Sequence, residues 1–506
     1  MLTIAAIVTV ILPLAVFSAA LWNGFVWDDE FNLVTNRGYR GLGWAQLQWM
    51  STATLLSHWI PVTWLTFGLD YVLWEMNAAG YHLTNLLLHA ANAWLFLLVA
   101  RRLVRLAAPA ATEVAVLAGA TAASLFFSVH PLRVESVAWI TERRDVLSGF
   151  FFLAALVAYL RAHDDQSVRD RRWLAISIAC FQLGVLSKSI VVTLPVVLLL
   201  LDVYPLRRLP WSPAQWFTRD ARHVLLEKLP FVPLTIIGSV VATSVIGRAN
   251  EFTPLSLLER VTLAVHSFWF YVWKTAVPLG LSPLYELPVS VDPRQPRFAL
   301  AALAVLGLTV GAALLSRRWP AIVTAWLAYL VIVGPVSGIT HTGIQIAADR
   351  YTYLSCLPWA LLVGGAVTAI VQARLAGTLT TQAFRRMSIA LGGWLLALAL
   401  MTSQQTLTWR DSETLWRRAL AVDPGCFACH HNLGSALLHR GMNAAAIEHF
   451  ERAVSLRPPA PLARGGLVFA HVASGALDEA RRQLEILRLS DRQLARDLSG
   501  LLVMEW

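Results

Sequence analysis

The sequence predicts an all-α protein, a polytopic bundle of transmembrane helices followed by a short helical-repeat solenoid. Hydrophobic residues make up 57% of its 506 residues and charged residues only 14%, against roughly 25% charged in a soluble globular protein. Apolar stretches near the ~20 residues that a helix needs to cross a bilayer recur about a dozen times. Beyond Ser403 the long apolar runs stop, and a 34-residue self-similarity begins.

The apolar stretches predict the helices of the bundle. We expect the first to remain as a helix, because no basic region precedes it and no A-x-A cleavage motif follows. The approximate spans are 2–21, 82–100, 112–129, 146–161, 172–187, 189–204, 230–246, 258–277, 299–316, 319–337, 351–371 and 388–406.

Short arginine-rich loops predict the orientation of these spans, because such loops stay on the cytoplasmic side. The net charge of +10 therefore does not indicate nucleic-acid binding. Loops after the second, fourth and sixth spans are basic, which places residues 22–81 and 130–145 on the outer face. Later arginines place 278–298, 338–350 and the C-terminal tail on that face too. Twelve full crossings do not allow this, so one segment between 230 and 277 is expected to be re-entrant or interfacial.

The C-terminal tail fits the tetratricopeptide pattern of paired helices. We therefore predict a transmembrane domain over 1–406 and a repeat domain over 407–506, with about two repeats preceded by the second helix of another. Such repeats bury their apolar faces only against their neighbours. The matching positions are Leu433, Gly434, Gly441, Phe450, Ala453 and Pro458, then Gly475, Ala480, Leu484 and Leu487, and, one step earlier, Trp416, Ala419 and Pro424.

The four cysteines predict no disulfide framework. Cys180 and Cys356 lie in apolar spans and are interpreted as small core residues. The segment 426–430 matches the C-x-x-C-H haem attachment pattern. Because it falls at the start of a predicted repeat helix, we interpret Cys426 and Cys429 as packing and capping residues.

The first outer loop carries aromatic residues at helical spacing. These are Trp64, Phe67, Tyr71 and Trp74. A helix lying in the membrane interface shows such a face, and so does a soluble cap helix with a buried aromatic stripe. Either arrangement places a lid beside the acidic motif that precedes it.

Polar residues that membrane edges disfavour mark the candidate site. Acids at such an edge often mark function, although solvated flanks of a helix also carry them. A carboxylate beside apolar surface can act as a base, and arginine forks bind phosphate at two points. The alternatives are salt bridging within residues 142–145 and a snorkelling lysine at 188. The candidates are Asp28, Asp29 and Glu30 for catalysis, and His130, Arg133, Glu135, Arg143, Arg144, Asp145, Lys188, His341, Asp349 and Arg350 for binding the donor phosphate or substrate.

With these motifs the chain resembles the membrane glycosyltransferases of the C superfamily, specifically the transmembrane-and-tetratricopeptide-repeat protein O-mannosyltransferases and their bacterial relatives. The resemblance implies a polyprenyl-phosphate-linked sugar as donor, a protein hydroxyl as acceptor, a first-loop Asp as base and basic residues of later loops on the carrier phosphate. Related proteins often carry many more repeats. The motifs are Trp27–Glu30; Tyr81, His82, Asn85 and His89; His130, Pro131, Glu135, Arg144 and Asp145; Ser187 and Lys188; Asp349, Arg350, Tyr351 and Tyr353; and the repeats.

We therefore predict an inverting, mannosyl-specific glycosyltransferase of a bacterial inner membrane, with its active-site loops and repeats on the periplasmic face. Expected partners are the lipid-linked sugar, the bilayer and a protein acceptor held by the repeats, but no nucleic acid. No cofactor is predicted; the adjacent Asp28 and Asp29 leave a divalent ion open without favouring one. The alternatives are a non-catalytic membrane scaffold for envelope assembly and a polysaccharide polymerase or ligase.

Overall fold

A computed structural model describes residues 1–56, 58–164, 170–247, 255–339 and 343–500. The described chain forms two compact units. We call the first the bundle unit; it comprises the described residues within 1–279, 290–342 and 349–407. The second, the solenoid unit, comprises 280–289, 343–348 and the residues from 408 onward. Two loop segments from the predicted transmembrane domain therefore belong to the solenoid unit.

The bundle unit is helical, as predicted, and each predicted span coincides with helix. Its helices are α1 Leu2–Val16, α2 Trp44–Thr52, α3 Pro61–Trp74, α4 Ala78–Ala107, α5 Glu113–Ser128, α6 Val134–Ala138, α7 Arg143–Ala162, α8 Arg171–Val185, α9 Leu194–Val203, α10 Arg219–Leu226, α11 Phe231–Gly247, α12 Leu257–Ala276, α13 Pro296–Leu315, α14 Pro320–Val333, α15 Thr352–Ser355, α16 Leu357–Leu375 and α17 Thr381–Thr406.

Five helices of the described chain are long and apolar enough to cross a membrane, and a sixth if a pair bent by 55° counts as one span. This supports a multi-pass membrane protein but gives fewer full-length spans than the twelve predicted. Several predicted spans are apolar helices of only 10–17 residues. The five are Ala78–Ala107, Ile140–Ala162, Pro296–Leu315, Leu357–Leu375 and Thr381–Trp409, and the bent pair is Glu113–Ser128 with Pro131–Ala138.

One face of α4 is polar and buried, and it organises the centre of the bundle. His82, Asn85, His89 and Asn92 recur three or four residues apart, so they share this face. Asn85 donates to the backbone carbonyls of residues 137 and 139. His89 and Asn92 each lie 2.8 Å from the Tyr353 hydroxyl. The polar face therefore holds the loop after α5 and the segment that follows Arg350.

The first half of the aromatic stripe of α3 packs into protein. Trp64 and Phe67 are buried in a cluster with Tyr39, Met50 and Ile140. These two rings turn inward because the loop supplies its own apolar partners, which bury large aromatic surfaces. Trp74, at the end of the stripe, is 40% exposed. The first half of the stripe therefore packs as the cap-helix alternative expects, and the position of α3 at the membrane interface stays a prediction.

The solenoid unit contains the paired helices that the repeat pattern predicts. Gly441 and Gly475 end the first helix of each pair with φ near +71° and +72°, a left-handed conformation that glycine adopts without strain. Phe450 is buried against Gly434, where an added Cβ would lie 2.9 Å from the aromatic ring. The helices are α18 Ser412–Val422, α19 Phe427–His439, α20 Asn443–Leu456, α21 Pro461–Ala473, α22 Leu477–Ser490 and α23 Arg492–Ser499.

A small antiparallel strand pair joins this solenoid, β1 Tyr285–Glu286 with β2 Gln345–Ala347. The Glu286 carboxylate accepts hydrogen bonds from the first two backbone N–H groups of α19, at 2.8 and 3.2 Å. Helix N-termini favour such an anion. Arg457 donates to the Leu287 carbonyl at 2.8 Å. The solenoid therefore holds a strand that the repeat pattern does not predict.

Cys426 and Cys429 form a disulfide at the start of α19, which corrects the prediction that the cysteines set no such bond. Their spacing alone does not distinguish a bonded pair from two buried thiols. The Cys426 sulfur also accepts a hydrogen bond from the Cys429 N–H, so this residue caps the helix as interpreted from the sequence.

We predict that Gly434→Ile destabilises the solenoid by about 1–3 kcal/mol, because the new side chain overlaps Phe450 in a packed core. Pulse proteolysis of the full chain in detergent measures the free energy of unfolding of this unit. Ala444→Ile introduces the same side chain at an exposed position of α20 and is the matched control. Equal stability of the two variants would contradict the packing described.

Candidate active site

Glu142 is the centre of a buried ion-pair network just before α7. Its carboxylate, which is fully buried, accepts a hydrogen bond from Arg144 Nε at 3.0 Å and from Lys188 Nζ at 2.9 Å. Arg350 Nε lies 3.2 Å from its other oxygen. Three cations from three separate chain segments thus converge on one carboxylate.

Two further carboxylates complete this network. Asp145 Oδ1 lies 2.6 Å from Lys188 Nζ, so the lysine bridges two acids. Glu135 accepts the Arg350 backbone N–H at 2.8 Å and also pairs with the guanidinium of that arginine. Three cations therefore balance three anions in a site largely closed to water, where each charge needs its partners.

Asp29 fastens the acidic motif to the turn that precedes Glu142. Its carboxylate is fully buried. It accepts hydrogen bonds from the Val26 N–H at 2.9 Å, the Thr141 N–H at 2.8 Å and the Thr141 hydroxyl at 2.6 Å. Burial nevertheless raises the pKa of Asp29 to about 7, against the lowering effect of these bonds.

Asp28 differs from Asp29 in having an uncommitted carboxylate. It is half-buried, and within the described chain no group donates a hydrogen bond to its side chain. Burial raises its pKa to about 6, and Arg144 and Arg350 act in the opposite direction. The side chain of Glu30, the third candidate, is exposed. The motif therefore presents one carboxylate that is available for a substrate beside the cations.

Several predicted residues lie in the same fold without joining the network. Arg143 is fully buried and bonds Asp70, Asn85 and the Tyr81 carbonyl, so its guanidinium is used within the protein. Arg133 donates to both the carbonyl and the hydroxyl of Thr352, the latter at 2.8 Å. These contacts hold the loops that carry the network.

The remaining predicted residues are His130, Asp349 and His341. The His130 ring bonds the carbonyl of residue 275 at 3.0 Å. Asp349 is buried, in the turn that carries Arg350. His341 lies outside the described residues.

Two residues beside the network are not among the site residues predicted from the sequence. Trp139 is buried, stacks on Trp27 and has the Arg350 guanidinium 5.6 Å from its ring centre. His58 faces the charges of Arg144 and Glu142, and burial lowers its pKa well below the ordinary value. Trp139 lies only three residues before Glu142, so its position next to that motif could have marked it as a candidate site residue. No sequence motif marks His58.

The parts of the chain that the structure describes offer no set of ligands arranged to bind a metal ion. They contain no group of three or more His, Cys, Asp or Glu side chains arranged to hold an ion. Of the adjacent Asp28 and Asp29, Asp29 has its carboxylate occupied by hydrogen bonds from Thr141 and Val26.

Comparisons with known proteins identify the C-terminal repeats and a set of relatives that match most of the chain. The tetratricopeptide repeat family matches residues 437–502. Protein O-mannosyl-transferase Tmtc3 of Drosophila melanogaster is 26% identical over 78% of this chain and 48% of its own length. TMTC3 of Homo sapiens is 24% identical over 88% and 51%, and TMTC4 of Mus musculus is 26% identical over 88% and 66%. Each is named as a protein O-mannosyl-transferase.

The chain thus spans about half to two-thirds of the length of these curated relatives. No solved structure matches it. The motifs of the sequence predicted this similarity. Over most of its length the chain is therefore similar to proteins named as protein O-mannosyl-transferases.

Proposed function

We propose that this chain is a membrane glycosyltransferase that moves a sugar, mannose by analogy with its relatives' names, from a polyprenyl-phosphate carrier to a protein hydroxyl. The single observation that carries the proposal is the uncommitted Asp28 carboxylate beside Arg144 and Arg350. A transferase of this kind needs a base for the acceptor and cations for the phosphate that leaves. Both lie at one end of α7.

Asp28 is the general base in this proposal. Its carboxylate takes the proton of the acceptor hydroxyl while the hydroxyl oxygen bonds the anomeric carbon of the sugar. The bond from that carbon to the carrier phosphate breaks, and its electron pair leaves with the phosphate. Attack opposite the leaving group inverts the anomeric centre. A raised pKa near 6 suits this role, because the base then holds a proton more strongly while remaining largely ionised at neutral pH.

Asp29 is assigned a structural part in the same reaction. Three hydrogen bonds already occupy its oxygens, so it is poorly placed to receive a proton from a substrate. Glu30 is exposed and is the weaker candidate for the base, because it lacks the desolvation that raises basicity. The proposal thus narrows three candidate acids to Asp28.

Arg350 leads the group that receives the carrier phosphate, together with Arg144 and Lys188. Fixed cations in a site of low dielectric stabilise the charge that develops on a leaving phosphate. Their carboxylate partners hold them in place before the donor arrives, so little reorganisation is needed. Arg143 is left out, because its guanidinium pairs with Asp70 and takes no part in the network around Glu142.

The reaction is proposed to take place on the outer face of a bacterial inner membrane, where the loop-charge analysis puts residues 22–81. The solenoid is proposed to hold the protein acceptor, because stacked repeats form extended surfaces for peptides. The binding of the donor, the inversion of the anomeric carbon and the location of the site on the outer face of the membrane are all parts of this proposal.

Asp28→Asn is expected to lower sugar transfer by roughly 10²–10⁴-fold, the usual contribution of a general base, while leaving the shape of the side chain intact. Membranes are assayed with radiolabelled polyprenyl-phosphate mannose. Asp478→Asn, at a fully exposed site, is the control. Asp29→Asn is expected to lower thermal stability as well as activity, because its amide replaces an acceptor by a donor. Near-wild-type transfer in Asp28→Asn would refute the mechanism.

Arg350→Lys is expected to raise the KM for the lipid-linked donor about 10- to 100-fold, since lysine keeps the charge but loses the two-point fork. Lysine is preferred to alanine because an unpaired Glu135 and Glu142 would themselves destabilise the fold. Arg294→Lys, on an exposed loop, serves as the control. An unchanged donor KM in Arg350→Lys and in Arg350→Ala would remove Arg350 from the phosphate site.

Removal of residues 424–506 is expected to abolish modification of the natural protein acceptor while sparing transfer to a small hydroxylated surrogate. The physical reason is that the solenoid would supply the acceptor surface and the bundle the chemistry. Both products are measured in the same membranes, with the full chain as control. A truncated chain that still modifies its protein acceptor would contradict the role of the repeats. An intact chain that binds the acceptor without any transfer would favour a scaffold.

A further inference from the structure

Trp27, the residue before Asp28, has a strained backbone. Its φ is 54°, in the left-handed region that bulky residues rarely adopt. Such a conformation persists only where the surrounding structure compensates for it, and it often occurs at functional sites. The contacts around Trp27 must therefore compensate for this backbone strain.

The compensation comes from a stack of two indole rings. The rings of Trp27 and Trp139 are parallel within 1°, and their centres lie 4.6 Å apart. Trp139 is 1% exposed, so one ring of the pair is set firmly in the bundle unit. Stacked aromatic pairs add attraction beyond the area that they bury. This contact holds the Trp27 side chain although its backbone is unfavourable.

Asp29, the residue after Asp28, is held by hydrogen bonds to the loop that also carries Trp139. Asp29 bonds both the N–H and the hydroxyl of Thr141, at 2.8 and 2.6 Å. Thr141 is only two residues after Trp139. Asp28 therefore lies between two anchored neighbours, and its own carboxylate has no donor of its own in the described chain to fix its direction.

We propose that the Trp27–Trp139 stack is a positioning device that directs the Asp28 carboxylate toward the acceptor hydroxyl; this rests on the proposed function, in which Asp28 is the base. Trp27 and Trp139 are positioning residues and touch no reacting atom. The stack fixes one end of a three-residue segment and the bonds from Thr141 fix the other. With both ends fixed, the direction of the central side chain is restricted as well.

In this proposal the stack also limits the access of water to the Asp28 carboxylate. The charged groups that face Asp28 are Arg144, Arg350, Glu142 and the neighbouring Asp29. Loss of the Trp27 ring leaves all four in place but admits water to the carboxylate. The pKa of Asp28 then moves from about 6 toward the ordinary aspartate value. Because Asp28 acts in its ionised form, the acidic limb of the profile of kcat/KM against pH, which reports the free enzyme, moves to lower pH.

The test compares Trp27→Gly, Trp27→Leu and Trp27→Phe in the full chain, with the lipid-linked mannose assay. Glycine accepts the left-handed backbone without strain but has no ring, so it separates stacking from strain. We expect Trp27→Gly to lower kcat about 10- to 100-fold, as for a displaced catalytic group. Donor KM should change little, and the acidic limb should move to lower pH. Trp27→Phe, which keeps a ring to stack on Trp139, should retain most of kcat. Trp44→Gly, at an exposed tryptophan of the same loop, is the control.

Three results would overturn the proposal. They are a wild-type kcat and acidic limb in Trp27→Gly, a loss of kcat with an unmoved limb, and a Trp27→Phe variant as impaired as Trp27→Gly. If Trp27→Gly does not accumulate in membranes, Trp27→Leu is judged by the same criteria. Asp28→Asn is measured alongside. If Asp28→Asn transfers sugar at the wild-type rate, the proposed function itself fails; if it does not, the Trp27 results judge the stack alone.

Discussion

The pairing of one buried carboxylate with three cations is the interaction on which the candidate site depends. Glu142 contacts Arg144 on α7, Lys188 before α9 and Arg350 before α15. Removing one partner from such a buried set typically costs about 3–5 kcal/mol, because an uncompensated charge remains. The network therefore fixes three chain segments in one arrangement. Because the cations are already held, a phosphate would meet a site that is organised in advance.

The polar face of α4 supports this network from within the bundle unit. Buried polar side chains in a membrane helix are costly unless they are bonded, so they normally face the bundle interior. Asn85 bonds the carbonyl of Trp139 and the side chain of Arg143. His89 bonds Tyr353, three residues after Arg350. One helix thus holds two of the three segments that supply the ion pairs, and the site is a product of the bundle's interior.

Two adjacent aspartates have separate parts because the chain places them in different surroundings. Asp29 is turned inward to Thr141 and anchors its loop, whereas Asp28 remains half-exposed and its side chain accepts no hydrogen bond from the described residues. The charges of Arg144 and Arg350 act on Asp28 and oppose the rise of its pKa on burial. A fixed neighbour on each side allows a free carboxylate to keep a defined direction. Such preorganisation is what a base needs when its own oxygens must stay available to a substrate.

The sequence by itself determined the helices, the repeats and the motifs. Hydrophobic periodicity and the glycines at 441 and 475 are local signals, because the backbone conformation that they specify is local. Only the tertiary structure decided which polar groups meet. Glu135 and Arg350 are 215 positions apart in the chain, and no local pattern states their pairing. The same holds for Arg143, which bonds Asp70, and for the inward turn of Trp64 and Phe67. These choices follow from the balance of burial and charge pairing in the whole bundle, which no short segment contains.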